Sequence, residues 1–251
     1  MKRWALVACL GLYGCEAQQT MAIDAGPDAA ICQPGSLPRM GIVASYGTDG
    51  SSLAGASICV EGRPALCASS GADGSYTLCV PEGTDYALRV TAVGYEVATY
   101  LVDASTTSTI DLEVGDVPFV TRLWSDSGAT FPATSASLIF LSLAKGSGPL
   151  ANAKVTIAPA MGRVTYGDGN QVAKRTLTST STSGTVYIGN LAPGSYDITV
   201  TATPAVSCTN LSAPLSSAPT PGGFESPVAG ASLRAPTYAG VTTTVFMRCS
   251  P

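Results

Sequence analysis

The sequence predicts an all-β protein made of two β-sandwich units in tandem, and three observations carry that prediction. Short runs alternate apolar and polar residues with a period of two. The runs recur in the same order in two parts of the chain. The 27 Gly and 17 Pro, with abundant Ser and Thr, favour strands and turns over helices. With 251 residues, each unit is long enough to bury a core of its own.

The repeat is read directly from the residues. Leu53-Ala-Gly-Ala56-Ser-Ile58-Cys-Val60 matches Leu150-Ala-Asn-Ala153-Lys-Val155-Thr-Ile157. Gly74-Ser-Tyr76-Thr-Leu78-Cys-Val80-Pro81 matches Gly184-Thr-Val186-Tyr-Ile188, which runs on to Leu191 and Pro193. The segment from Pro81 through Tyr86, Leu88 and Val90 matches that from Pro193 through Tyr196, Ile198 and Val200. Ala56, Ile58 and Val60 share one parity, as do Tyr86, Leu88, Val90 and Ala92. Tyr196, Ile198 and Val200 point in, and Asp197, Thr199 and Thr201 point out. A period of two puts each set on one face of a strand, whereas a helix would scatter it around its circumference. Asp-Gly pairs at 49–50, 73–74 and 168–169 supply turns.

The second unit is longer between matched positions. Thirteen extra residues lie around Met161 to Asn170, and a Pro-, Ser- and Gly-rich excursion runs from Leu211 to Ala235. Both are expected to be surface loops. Residues 116–135 break the alternation and read as a connector. The order Leu-Ala-Gly-Ala, turn, Gly-x-Tyr/Val, Pro-Gly-x-Tyr resembles the carboxypeptidase-regulatory-like, or transthyretin-like, domain. That resemblance implies two tandem Greek-key/transthyretin-like β-sandwich domains, at 37–115 and 136–251.

The N-terminus reads as an address. Met1-Lys2-Arg3 is positive, and Trp4 to Tyr13 is an apolar run of about ten residues. That is half the ~20 needed to span a bilayer, and it has the length of a signal-peptide core. It ends in Leu12-Tyr13-Gly14-Cys15, which resembles the lipobox of bacterial lipoproteins. Leu6-Val7-Ala8-Cys9 also fits, but leaves too little apolar core before it. The resemblance implies a signal peptide over 1–14, a diacylglyceryl group on Cys15, and membrane attachment through it. Glu16 rather than Asp after the cysteine resembles the outer-membrane sorting default. The alternative is a plain secretory signal with an unrelated cysteine. Residues 16–36 are polar and aperiodic, so 15–36 reads as a lipidated Cys and flexible tether. Loss of Lys2 and Arg3 takes the 13 basic residues to 11 against 17 acidic ones, a charge of −6.

Of eight cysteines, Cys9 would leave with the leader and Cys15 would be acylated. Six remain, an even number in an exported chain, which argues for disulfides. Cys208 and Cys249 stand alone in the second unit and are expected to pair. Cys32, Cys59, Cys67 and Cys79 allow three connectivities. Cys59 and Cys67 flank a short hairpin on the outward parity, which favours Cys59–Cys67 and leaves Cys32–Cys79. A zinc site is disfavoured, because C-x2–4-C pairs are missing and the chain has no His.

The same lack of His removes Ser-His and Cys-His catalysis. The acidic balance offers no footprint for nucleic acid. Acidic residues fall in turns or outward strand positions, so no carboxylate pair is evident. Lys154 sits at an outward parity, which reads as a solvated face rather than one half of a Ser-Lys dyad. No cofactor and no metal are expected. The expected function is that of a non-enzymatic structural or protein-interaction module of the cell envelope, anchored at the outer membrane, with an envelope protein or glycan as partner. The alternative is a carbohydrate-binding or adhesion lipoprotein. Its candidate binding residues are Trp124 in the connector, Tyr166 in the inserted segment and Tyr238 beside the long excursion.

Overall fold

Strand pairing shows the same unit twice. The protein is described by a computed structural model over residues 32–46, 50–102, 109–131, 137–145, 148–210 and 232–250. The leader, Cys9, Cys15 and nearly all of the tether therefore lie outside the described residues, as do Asp49 and 211–231 of the long excursion. The first half contains β1 (Ser36–Tyr46), β2 (Ser57–Val60), β3 (Cys67–Ser69), β4 (Ser75–Pro81), β5 (Tyr86–Thr91), β6 (Ala98–Val102) and β7 (Leu112–Gly115). A helix, α1 (Val117–Ser127), follows. The second half contains β8 (Ser137–Lys145), β9 (Gly148–Pro149), β10 (Lys154–Ala158), β11 (Arg163–Gly167) and β12 (Ala173–Lys174). It continues with β13 (Thr185–Leu191), β14 (Gly194–Thr201), β15 (Ser207–Asn210), β16 (Ser232–Thr237) and β17 (Thr242–Ser250).

In the first half β1 lies antiparallel to β4 and parallel to β7; in the second, β8 lies antiparallel to β13 and parallel to β17. Likewise β5 sits between β2 and β6, and β14 sits between β10 and β16. The Leu-x-x-Ala turn is built alike in both halves. Its third residue takes a left-handed φ, +70° at Gly55 and +60° at Asn152. A hydroxyl then bridges the turn. Ser70 Oγ donates to the Leu53 carbonyl (2.5 Å) and accepts from the Ala56 N–H (2.9 Å). Thr180 Oγ1 donates to the Leu150 carbonyl (2.7 Å) and accepts from the Ala153 N–H (2.9 Å). Ser70→Ala would leave both backbone groups buried without this partner. We expect it to lower unfolding free energy by about 1–3 kcal/mol in urea titration. Thr180→Val is expected to cost a similar amount.

The halves do not remain separate sheets. Thr242–Thr244 of β17 pair in parallel with Ala98–Tyr100 of β6. This joins one sheet in the order β12-β11-β13-β8-β17-β6-β5-β2-β3. Two three-stranded sheets cover it from opposite sides. β4-β1-β7 packs on the β5/β6/β2 portion, enclosing Val43, Leu78, Leu88, Val90, Leu112 and Val114. β10-β14-β16 packs on the β8/β13/β17 portion, enclosing Ile139, Val155, Ile188, Ile198, Leu233 and Val245. The two cores meet across one strand pair. Leu88 points to the first core, while its neighbour Ala87 points to the second, together with Leu101 of β6. This is why all five residues of β6 are buried and its alternation is lost.

Two sequence expectations are revised. Residues 116–135, read as a connector, contain α1. Asp116 caps it by accepting from the Phe119 N–H (2.8 Å), and Gly128 ends it in the left-handed region. Val120, Leu123, Trp124 and Ser127 form its buried face, and they pack with Tyr187 of β13 and Ala173 of β12. The segment around Met161 to Asn170 is largely not a free loop. Its residues 163–167 form β11, which pairs with β13 and widens the sheet.

Candidate functional site

The three aromatic candidates do not meet. Trp124 is only 1 % exposed and stands edge-on to Tyr187, with ring centroids 5.7 Å apart. Tyr166 is 7 % exposed and lies on the other face of the sheet, in the second core. Its hydroxyl accepts from the Val155 N–H at 3.0 Å. Neither ring can serve as a stacking platform. The helical period carries Trp124 inward, and the strand period carries Tyr166 inward. Tyr238, just after β16, is half-buried. Burial and the nearby Glu61 carboxylate push its phenol up to about 12, against the pull of Arg89. It therefore sits beside the Arg89–Glu61 ion pair of the first half (3.3 Å).

The six cysteines form three bridges. Cys32–Cys79 ties the residue region before β1 to β4, Cys59–Cys67 crosses β2 and β3, and Cys208–Cys249 crosses β15 and β17. Lys154 is exposed, and Asp197 forms a two-pronged ion pair with Arg234 (2.8 and 3.2 Å). That contact holds the Asp197 carboxyl below its ordinary range. The turn carboxylates Asp73 and Asp168 are lowered too, first by hydrogen bonds from Ser75 and Val172 respectively. Among the described residues no three His, Cys, Asp or Glu gather as a metal site requires. No described helix is long and apolar enough to cross a membrane.

A concavity lies at the seam, on the face between the β4-β1-β7 layer and α1. It has a volume of about 160 Å³. Glu96 of the β5–β6 loop, Tyr100 of β6 and Thr242 and Thr244 of β17 line its depth. Tyr46 at the end of β1 forms one wall, and the exposed Glu113, Gln171 and Phe246 stand at the rim. The Phe246 and Tyr100 rings lie 6.5 Å apart and nearly parallel, at 22°. A second cavity of about 310 Å³ shares Tyr46 and Gln171 and continues along α1. There Arg122 lies over the Phe119 ring, 5.7 Å from its centroid.

Glu96 holds this seam. Its N–H donates to the Gly115 carbonyl (2.9 Å), and the Gly115 N–H donates back to Glu96 Oε1 (3.1 Å). Thr242 Oγ1 donates to Glu96 Oε2 (2.7 Å), and the Thr242 N–H donates to the Val97 carbonyl (3.0 Å). One carboxylate thus joins β7 of the first half to β17 of the second. Gly115 has no space for a side chain, since a Cβ would strike Val120 of α1 and the Tyr46 ring. Tyr100 completes the floor, its hydroxyl bonded to the backbone of Glu113. Sequence reading did not single out Glu96. It sits in a loop between strands, and a lone acidic residue there reads as solvated.

Burial pushes the Glu96 carboxyl up to about 7, with the Thr242 and Gly115 bonds pulling partly back. The protonated form is therefore favoured in the fold. Stability tied to it is fully present below the unfolded value near 4.5 and is lost as pH rises to about 7. Glu96→Gln removes this titration but keeps the shape, since an amide can accept from Gly115 and donate to Thr242. The stability difference between wild type and E96Q is expected to change by roughly 3 kcal/mol between pH 4 and pH 8, in favour of E96Q at the higher pH. Urea titrations at the two pH values check this. A difference that stays constant would show that Glu96 does not titrate in this range.

No protein family matches the chain, and no protein of curated function matches it. Among solved structures it is similar to the Bacillus anthracis TIE protein, at 14 % identity and TM-score 0.26, over 86 % of this chain and 34 % of that one. The chain thus spans about a third of that structure's length. It is also similar to GBS52, the minor pilin of Streptococcus agalactiae, at 13 % identity and TM-score 0.27, over 84 % of this chain and 95 % of that one. A third is the shaft pilin SpaA of Lactobacillus rhamnosus GG, at 9 % identity and TM-score 0.26, over 86 % and 98 %. Similarities of this size do not establish a shared fold.

Proposed function

We propose that the protein is exported, held at the outer membrane by acyl chains on Cys15, and acts there as a non-enzymatic structural or protein-interaction module. The observation that carries the structural part is the continuous sheet through β17 and β6. It joins the two proposed β-sandwich units through one sheet, an arrangement suited to hold a surface in a fixed orientation. Three disulfides suit an oxidising compartment. The anchor rests on the lipobox-like Leu12-Tyr13-Gly14-Cys15 and the short apolar leader before it. Two or more acyl chains at ~0.8 kcal/mol per buried CH2 hold a protein stably. Residues 37–115 and 136–251 are the proposed units, with 15–36 as tether. The alternative is a carbohydrate-binding or adhesion protein; its carbohydrate-binding form calls for exposed rings, and Trp124 and Tyr166 expose almost none.

Radiolabelled palmitate with and without globomycin tests the anchor. Label on the wild type, none on Cys15→Ser, and release of that variant from membranes are expected. An unlabelled wild-type chain would leave plain secretion. Capture from cross-linked envelopes then identifies partners. A glycan bound by the wild type and lost in Tyr238→Ala would favour the alternative instead.

A further inference from the structure

The seam cleft has a composition that the proposed scaffold role does not call for. The side chains lining it include two carboxyl groups, Glu96 and Glu113, two phenols, Tyr46 and Tyr100, and the Phe246 ring. None of the described residues lining it is a lysine or arginine. The Arg122 guanidinium belongs to the adjoining cavity and rests on Phe119. Both charged side chains among the described lining residues are carboxyls, so the fixed charge there disfavours an anion. A cation would meet a counter-ion in its depth and aromatic faces on its walls, the combination that holds organic ammonium groups. Thr185, Thr242, Thr244 and Gln171 add oxygen acceptors, and an ammonium has three N–H donors to place. The volume, about 160 Å³, is several times the roughly 30 Å³ share of one water. It fits a group of a few non-hydrogen atoms.

We propose that this cleft binds an organic ammonium group on a short alkyl stem, with Glu96 as counter-ion and Tyr46, Tyr100 and Phe246 packing the stem. The lysine side chain of a partner protein and a small free amine share this chemistry. The site is independent of the anchor on Cys15, so failure of either leaves the other standing. Among the described residues, the groups facing Glu96 are Tyr46 from β1, Tyr100 from β6, Glu113 from β7 and Thr242 from β17. The phenols are raised by burial and stay neutral, so Glu96 is the group whose charge changes near neutrality. Binding is therefore stronger at pH 8 than at pH 5.5.

The test titrates the full chain in non-ionic detergent with n-butylammonium chloride, using calorimetry, with n-butanol and sodium chloride as controls. Saturable binding at pH 8 at least tenfold tighter than n-butanol is expected, weakened at least tenfold at pH 5.5. Glu96→Gln is expected to weaken it at least tenfold. Phe246→Ala, at a side chain 41 % exposed, is expected to weaken it several-fold in protein whose circular dichroism matches the wild type. Nα-acetyl-lysine N-methylamide separates the sources. If it binds as well, a partner's lysine can enter; if only n-butylammonium binds, the site takes a free amine. No saturable n-butylammonium binding, equal binding of n-butanol, or an unaltered affinity in a folded E96Q protein would overturn the proposal.

Discussion

Trp124→Ala is expected to destabilise the protein by about 3–5 kcal/mol, measured by urea unfolding at constant pH. The indole is fully buried, and it is the largest side chain between α1 and the sheet. Eleven residues are too few for a helix to persist in water on its own, so α1 depends on this docking. Truncation also loosens what the helix end holds. Thr165 Oγ1 donates to the Ser127 carbonyl (2.8 Å), and Arg175 donates to the Asp126 (3.0 Å) and Ser125 (2.6 Å) carbonyls. Hydrogen exchange in residues 117–128 should therefore accelerate more than in β5 or β14. A loss under 1 kcal/mol would mean that Val120 and Leu123 suffice to dock the helix.

Replacing Cys208 and Cys249 together by Ser is expected to cost roughly 4 kcal/mol. The bridge closes a loop of sequence separation 41, and that loop contains the long excursion and β16. Opening it enlarges the unfolded ensemble. In the fold, β15 would rely on its short pairing with β17, and β16 would lose a covalent limit on how far it can drift from β14. Replacing Cys59 and Cys67, at separation 8, is expected to cost less, since a short loop has less entropy to lose. Equal losses from the two pairs would argue that the bridges act through local packing instead.

Much of the fold could be read from the chain because strand faces are a local property. Tyr86, Leu88 and Val90 are buried where their parity places them, and so are Tyr196, Ile198 and Val200. The Leu-x-x-Ala turns were visible as a repeat, although the bridging roles of Ser70 and Thr180 were not. Each hydroxyl lies more than a dozen residues from the turn it completes. The helix could have been found. Asp116, Pro118 and Gly128 are stop and start signals, and Val120, Leu123, Trp124 and Ser127 keep helical spacing. Reading the segment as a break in the strand pattern hid it. Tyr166 misled because extra residues in a repeat look like a loop, while they formed another strand.

The amino-acid order alone determined that these segments pleat, that they do so twice, and which side chains turn inward. Those outcomes depend on neighbours two residues apart. Only the tertiary structure decided that β17 would lie beside β6, that both faces of the shared strands would be covered, and that Glu96 would be sealed between Gly115 and Thr242. Strand edges carry the same N–H and C=O groups whatever their side chains. Which edge meets which is therefore settled by how whole layers pack, across 146 residues of chain in the case of Glu96 and Thr242.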